Sequence, residues 1–511
     1  MKLSSIFILF YFFFFTQNIL AQNTSGNLNA TVTVATELQS QFKSNGRLLL
    51  FICDNAEVEP RQMTWPSPVV KTYIFAKNIT DFNSSESVKI ENSNDWTSNT
   101  DITLANLPSG EYAVQVLWDQ DTEESRVDAP GNIFSKKQIL NLDKNVNLIF
   151  ELSEVIDSHV VNEHPQVRYE ALKSEALSKF WNKPMYLKAT ILLPKNYKEG
   201  SNKAYPIRYN VAGFGGRYTR INRLSGNKEF MDWWNSDEAP EIITVFLDSD
   251  GPLGDHYQMD SDNSGPYGEA LTTELIPYLE SKYRGTDTVK TRFVDGCSTG
   301  GWVSLGLQLY YPDTFNGCFS YSPDAIEFER YQLINIYKDK NAYVNEYGYE
   351  RPVMRSTLGE PMLSFKTFVY HENALAASNT YVNSGGQIGS HTALYSPKGE
   401  DGLPKPLFDA TTGEIDKEVA EHWKKYDFLK YTQENWETLG PKLQGKIYVW
   451  MGDMDHFYLN MATRSFAEYL LTTENPKSDA RIEFSPMKGH CSEYSDKKIY
   501  QQIEERLKKM D

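Results

Sequence analysis

A pentapeptide in the second half of the chain, Gly296-Cys297-Ser298-Thr299-Gly300, restricts its surroundings more than any other stretch. Residues 292–295 before it contain apolar Phe293 and Val294 and predict a short buried strand. Residues 302–310 after it are largely apolar and predict a helix. G-x-S-x-G between a strand and a helix holds its serine in a strained turn, with glycines where a Cβ would collide. The free N–H groups and dipole of the following helix favour negative charge beside Ser298. A serine held this way suits a nucleophile. It then needs a base, an acid to orient that base, and N–H donors for an oxyanion.

The flanking sequence predicts the scaffold such a turn requires. Residues 185–194, 207–211 and 241–247 read as strands and 271–282 as a helix, an alternation that means a parallel sheet covered on both faces. Active residues collect at the carboxyl ends of such strands. Strand 207–211 ends at Ala212-Gly213-Phe214-Gly215-Gly216. Strand 447–451 ends at Gly452-Asp453-Met454-Asp455 and is followed by a helix over 462–471. A last short strand, 481–484, leads to Gly489-His490-Cys491 and an amphipathic terminal helix from Lys497. From about 325 to 440 the pattern breaks into Tyr-rich helical pieces and Gly/Ser/Asn loops. An insertion of that length predicts a lid or substrate-binding element.

The chain opens with Lys2, an apolar run over 6–15 and Ala21, which predicts a cleavable signal peptide over 1–21. The run is short for a bilayer span, and no cysteine follows the cleavage region. The expectation is a secreted or periplasmic protein without stable membrane insertion. Residues 22–161 carry short strands (31–35, 47–53, 71–75, 112–118, 146–152) between polar turn clusters, and predict an all-β sandwich as an accessory domain. No catalytic residue is assigned to it. The catalytic domain then spans 162–511. A net charge of −17 argues against nucleic acid as the partner. Neither metal-ligand spacing nor a phosphate-cradling loop occurs, so no cofactor and no metal is expected.

Where a serine sits in such a turn, the acid and base follow it in the order Ser, Asp or Glu, His. Past the insertion the acid is Asp455, preferred to Asp453, and the base is His490. The oxyanion donors expected are the N–H of Thr299 and that of Phe214, with Gly215 in reserve. Cys297 precedes the serine and Cys491 follows the histidine. A hydrogen bond from Ser298 to His490 would bring these neighbours within disulfide range, and export would let them oxidise. Cys53 and Cys318 lie in apolar strands and read as buried thiols.

Several ordered blocks carry a resemblance: Leu192-Leu193-Pro194 with Tyr197, Ala212–Gly216, the run from Ser264-Gly265-Pro266-Tyr267-Gly268 to Glu274-Leu275-Ile276-Pro277, Gly296–Gly301, Gly452–Asp455 and Gly489-His490. Through them the catalytic part resembles esterases of the α/β-hydrolase fold related to esterase D (S-formylglutathione hydrolase), feruloyl and acetyl-xylan esterases, and siderophore esterases. The Cys297-Ser298 and His490-Cys491 arrangement also resembles tannase-type feruloyl esterases, where such cysteines bridge the triad. Two features depart from these patterns: Ala212-Gly213 where many relatives have His-Gly, and the long insertion. The resemblance implies an α/β-hydrolase fold behind the sandwich, and an exported serine hydrolase of carboxylic esters. Its substrate would be acyl or phenolic esters on polysaccharide or on plant or algal material. A serine peptidase like the prolyl oligopeptidases shares the fold, but residues 22–161 show no propeller repeat. A glycan-binding protein on a dead hydrolase is a further alternative, disfavoured by the intact Ser/Asp/His order.

Overall fold

The computed structural model describes residues 25–121, 123–143 and 145–509. The expected signal peptide lies outside them. The first region is a nine-stranded sheet: β1 (Leu28–Val34), β2 (Gly46–Cys53), β3 (Thr72–Ile79), β4 (Val88–Ile90), β5 (Thr97–Ser98), β6 (Glu111–Asp119), β7 (Ile133–Ser135), β8 (Gln138–Asn141) and β9 (Val146–Val155). Its order is β4-β1-β9-β7-β6-β2-β3-β5, with β8 on β6. The sheet doubles over, because Val32 of β1 and Phe150 of β9 share one core with Leu48, Leu50 and Ile52 of β2 and Trp118 of β6. Strand β1 alternates buried and partly exposed residues, as a half-buried strand should. Strand β2, in contrast, is buried on both faces.

The second face of β2 explains its continuous apolar run. Leu49 and Phe51, with Ile74 of β3 and Leu117 of β6, pack on Ala374 and Leu375. Those two residues end a helix of the insertion, α2 (Phe365–Leu375). Buried Arg47 reinforces the joint, donating to Ala374 O at 3.0 and 3.3 Å and to Asn379 Oδ1 at 3.0 Å. Carbonyls at a helix C-terminus have no intrahelical partner, so a guanidinium there satisfies both groups. The first region is thus seated on the insertion through an apolar face and a buried cation.

The second region has eight strands: β10 (Val167–Ser174), β11 (Met185–Leu192), β12 (Ile207–Val211), β13 (Ile243–Leu247), β14 (Arg292–Cys297), β15 (Cys318–Tyr321), β16 (Ile447–Gly452) and β17 (Arg481–Ser485). Their order is β10-β11-β13-β12-β14-β15-β16-β17. The first two strands pair antiparallel and the last six run parallel. This is the α/β-hydrolase fold. Strands β12 to β16 are almost wholly buried, which is why they read as apolar runs without alternation. The insertion lies between β15 and β16 and leaves β15 at its carboxyl end, the side on which the parallel strands β12 and β14 also end. One polar element crosses the core: Arg208 of β12 makes a bidentate pair with Asp295 of β14 at 2.7 and 2.8 Å. Tyr494 donates to Asp295 Oδ2 at 2.7 Å, tying the segment after β17 to the sheet centre.

Candidate active site

Strand β14 passes through Ser298 directly into α1 (Thr299–Tyr310). Ser298 has φ 62° and ψ −126°, a conformation a non-glycine residue holds only when its surroundings force it. The force is close packing. A Cβ on Gly296 would lie 2.5 Å from both Val211 O and Gly300 C, so the turn is pressed against the end of β12. Gly213, two residues beyond that end, would bring a Cβ to 3.7 Å from the Ser298 Cβ. The loop 212–216 therefore lies alongside the serine. In it, Gly215 spends its N–H on Asp255 Oδ2 at 3.0 Å, while the Phe214 N–H donates to no described protein acceptor.

The two downstream loops converge on the same point. Asp455, fully buried, follows β16 and its Oδ2 lies 2.7 Å from His490 Nδ1. The other oxygen accepts the N–H groups of Phe457 at 2.9 Å and Leu459 at 3.4 Å, which fixes the carboxylate plane. Asp453, two residues earlier, is turned to Arg464 and is 28% exposed on its side chain. His490 follows β17. Burial lowers its pKa, but the facing Asp455 raises it more, and the balance lies above the ordinary imidazole value. Cys297 and Cys491 are joined by a disulfide with a Cα–Cα distance of 6.0 Å. Cys53 and Cys318 are free and buried.

Ser298, His490, Phe214 and Cys297 all line one cavity of about 400 Å³. The Ser298 Oγ donates to Asp324 Oδ1 at 3.5 Å. Asp324, 4% exposed, was not among the residues expected from sequence. It follows β15, so its position at the carboxyl end of a parallel strand was a usable signal. Burial pushes the Asp324 carboxyl up, and the neighbouring His391 with the hydroxyls of Thr299 and Tyr257 more than reverse this, leaving it below the usual carboxylate value. Tyr331, Gln387 and His391 of the insertion line the same cavity.

The front domain also reaches the site. Trp65, from the loop before β3, lines the cavity and packs on Phe214 with ring centroids 5.8 Å apart. Arg126 donates to Gly215 O at 3.2 Å, and Glu124 accepts from Arg217 Nη2 at 2.6 Å. The sandwich thus holds the loop 212–217 from behind, although sequence reasoning gave it no site residue. Aperiodic loops carry no pattern from which that reach could be read.

The disulfide spans a separation of 194 residues, and loops of that length lose much unfolded-state entropy on closure. A Cys297→Ser/Cys491→Ser variant is expected to lose roughly 2–5 kcal/mol of stability. On mild heating its hydrolytic activity should fall before its far-UV circular dichroism, because the His490 loop loses its tether first. Coincident loss of the two signals would show that the bridge stabilises the whole domain and not that loop.

A family model described as "Putative esterase" matches residues 184–507. No curated protein matches the chain. Among solved structures it is similar to a ferulic acid esterase, at 19% identity and a TM-score of 0.42, over 67% of this chain and 97% of that one. It is also similar to an S-formylglutathione hydrolase from Agrobacterium tumefaciens, at 12% identity and a TM-score of 0.37, over 68% and 96% of the two chains. A third likeness is to a ferulic acid esterase from Anaeromyces mucronatus, at 14% identity and a TM-score of 0.33, over 68% and 90%.

Proposed function

The chain belongs to this esterase family of carboxylic ester hydrolases, and from that premise we propose that it is an exported serine esterase using Ser298, His490 and Asp455. The observation that carries the assignment is the 2.7 Å contact between Asp455 and His490 Nδ1 in the cavity that holds Ser298. It leaves Nε2 as the nitrogen that takes a proton. For reaction, Ser298 turns from Asp324 to His490. Its oxygen bonds to the ester carbonyl carbon as the proton passes to Nε2. The carbonyl oxygen becomes an oxyanion, met by the N–H groups of Thr299 and Phe214. Collapse expels the alcohol, which takes the proton from His490, and water repeats the sequence on the acyl-enzyme. Asp455 stays ionised and stabilises the imidazolium between these transfers.

Export is supported by the sequence of residues 1–21 and by the Cys297–Cys491 bond, a kind of bond that persists in oxidising compartments. The substrate proposed is an acyl or phenolic ester carried on polysaccharide or on plant or algal material. Its support is the family membership and a cavity walled by Trp65, Phe214 and Phe457, which suits a flat apolar group.

A panel of acetyl, feruloyl, galloyl and long-acyl esters beside proline-containing peptides tests the reading. Hydrolysis of an ester and of no peptide is expected. With the best ester, kcat/KM should rise with pH through an apparent pKa above about 6.5, the ordinary imidazole value. The sign follows from the base: protonated His490 cannot accept, and Asp455 keeps it protonated to higher pH. A profile flat from about pH 5 to 9 removes His490 as the base. Cleavage of peptides alone moves the protein to the peptidases.

A further inference from the structure

The two oxygens of Asp324 are served very unequally. Oδ2 accepts from Thr299 Oγ1 at 2.8 Å, Tyr257 OH at 2.9 Å and Gln387 Nε2 at 3.1 Å. His391 backs this cluster, with Nε2 2.7 Å from Tyr257 OH and Nδ1 2.6 Å from Tyr331 OH. Because Tyr257 gives its one proton to Asp324, His391 Nε2 must donate to Tyr257. This chain of bonds fixes the carboxylate. Oδ1, in contrast, receives a single hydrogen bond among the described residues, from Ser298 Oγ at 3.5 Å.

Ser298 has one proton and two claimants. Once it turns to His490, as the proposed mechanism requires, Oδ1 becomes a buried anionic oxygen without a donor. Such an oxygen is costly to leave unpaired. The carboxylate cannot rotate away, since three donors hold Oδ2. A substrate bound in the cavity that Asp324 lines can supply the missing donor. We propose that Asp324 Oδ1 is a subsite for a hydrogen-bond donor next to the scissile ester, a hydroxyl or an ammonium group. This deepens the esterase reading and rests on it. It narrows the substrate class to esters with such a donor within reach of the nucleophile, as a sugar hydroxyl beside an acylated position would be.

Matched esters test the subsite on the unaltered enzyme. One set carries hydroxyl, amino or methoxy on the carbon next to the ester on the alcohol side; a second set carries the same groups on the acyl side. In at least one set a donor-bearing ester should exceed its methoxy analogue in kcat/KM by about 10- to 100-fold. Whether the hydroxyl or the amino member leads identifies the donor. The Asp324→Asn variant sharpens the test. The three donors at Oδ2 would hold the amide oxygen there and put the –NH2 at the Oδ1 position, turning an acceptor into a donor. The preference should then shift toward the methoxy ester. Equal rates in both sets for the unaltered enzyme, or an unchanged ratio in a folded Asp324→Asn variant, overturn the subsite. If the enzyme hydrolyses no ester and a fluorophosphonate leaves Ser298 unlabelled, it is the esterase mechanism that fails instead.

Discussion

Replacing Ser298 by alanine is expected to lower kcat on the best ester by roughly 10⁴- to 10⁶-fold, with the fold intact. A methyl group cannot form the acyl-enzyme, and what remains is the rate supported by the oxyanion donors and by binding. The fold should survive because, among the described residues, the hydroxyl makes only the 3.5 Å bond to Asp324. The strained backbone comes from packing around Gly296 and Gly300, which the variant keeps. A fluorophosphonate should label the unaltered enzyme at Ser298 and leave the variant unlabelled. Labelling at another serine, or near-full turnover by Ser298→Ala, ends the assignment.

The second large effect separates two aspartates that sequence alone leaves two residues apart. Asp455→Asn should cost on the order of 10⁴ in kcat, by the tautomer argument that applies to serine hydrolases generally. The N–H groups of Phe457 and Leu459 would hold the amide oxygen in the Oδ1 place. That leaves –NH2 facing His490 Nδ1, which must then lose its own proton and offer a lone pair. Nε2 would carry the proton and could no longer act as base. Asp453→Asn should cost less than about 10-fold, since Asp453 pairs with Arg464 and sits away from His490. If the Asp453 variant shows the deeper loss, the orienting acid is reassigned and Asp455 is reduced to a structural cap.

Much of this arrangement was legible because chemistry and apolar runs coincide in it. Ser298 stands in a glycine-bounded turn between two apolar runs, one of strand length and one of helix length. Asp455 and His490 follow the next recognisable strands in chain order. The cysteines were readable from adjacency alone. The edge strand β10 was not predicted, because Arg168, Glu170 and Lys173 break up its apolar residues and polar Glu170 and Ser174 fill buried positions. Asp324 needed the insertion to fold back so that Gln387 and His391 could meet it. Trp65 needed the placement of a whole domain. Contacts of that kind depend on loops that obey no repeat, and a single chain gives no pattern for them.

The grip of the sandwich on the loop 212–217 changes what kind of variation this enzyme can absorb. Residues around Trp65 and Arg126 lie outside the proposed triad, yet Trp65 walls the cavity and Arg126 braces the loop that carries Phe214. Exchange in that region alters the room offered to an acyl group while leaving Ser298, His490 and Asp455 untouched. The front domain is then a place where substrate range can diverge under selection without a crossing through inactive intermediates. The same coupling makes the hydrolase poor as a stand-alone cassette: freed of its partner, it would show water the apolar surface of Ala374 and Leu375 and release the loop behind its nucleophile.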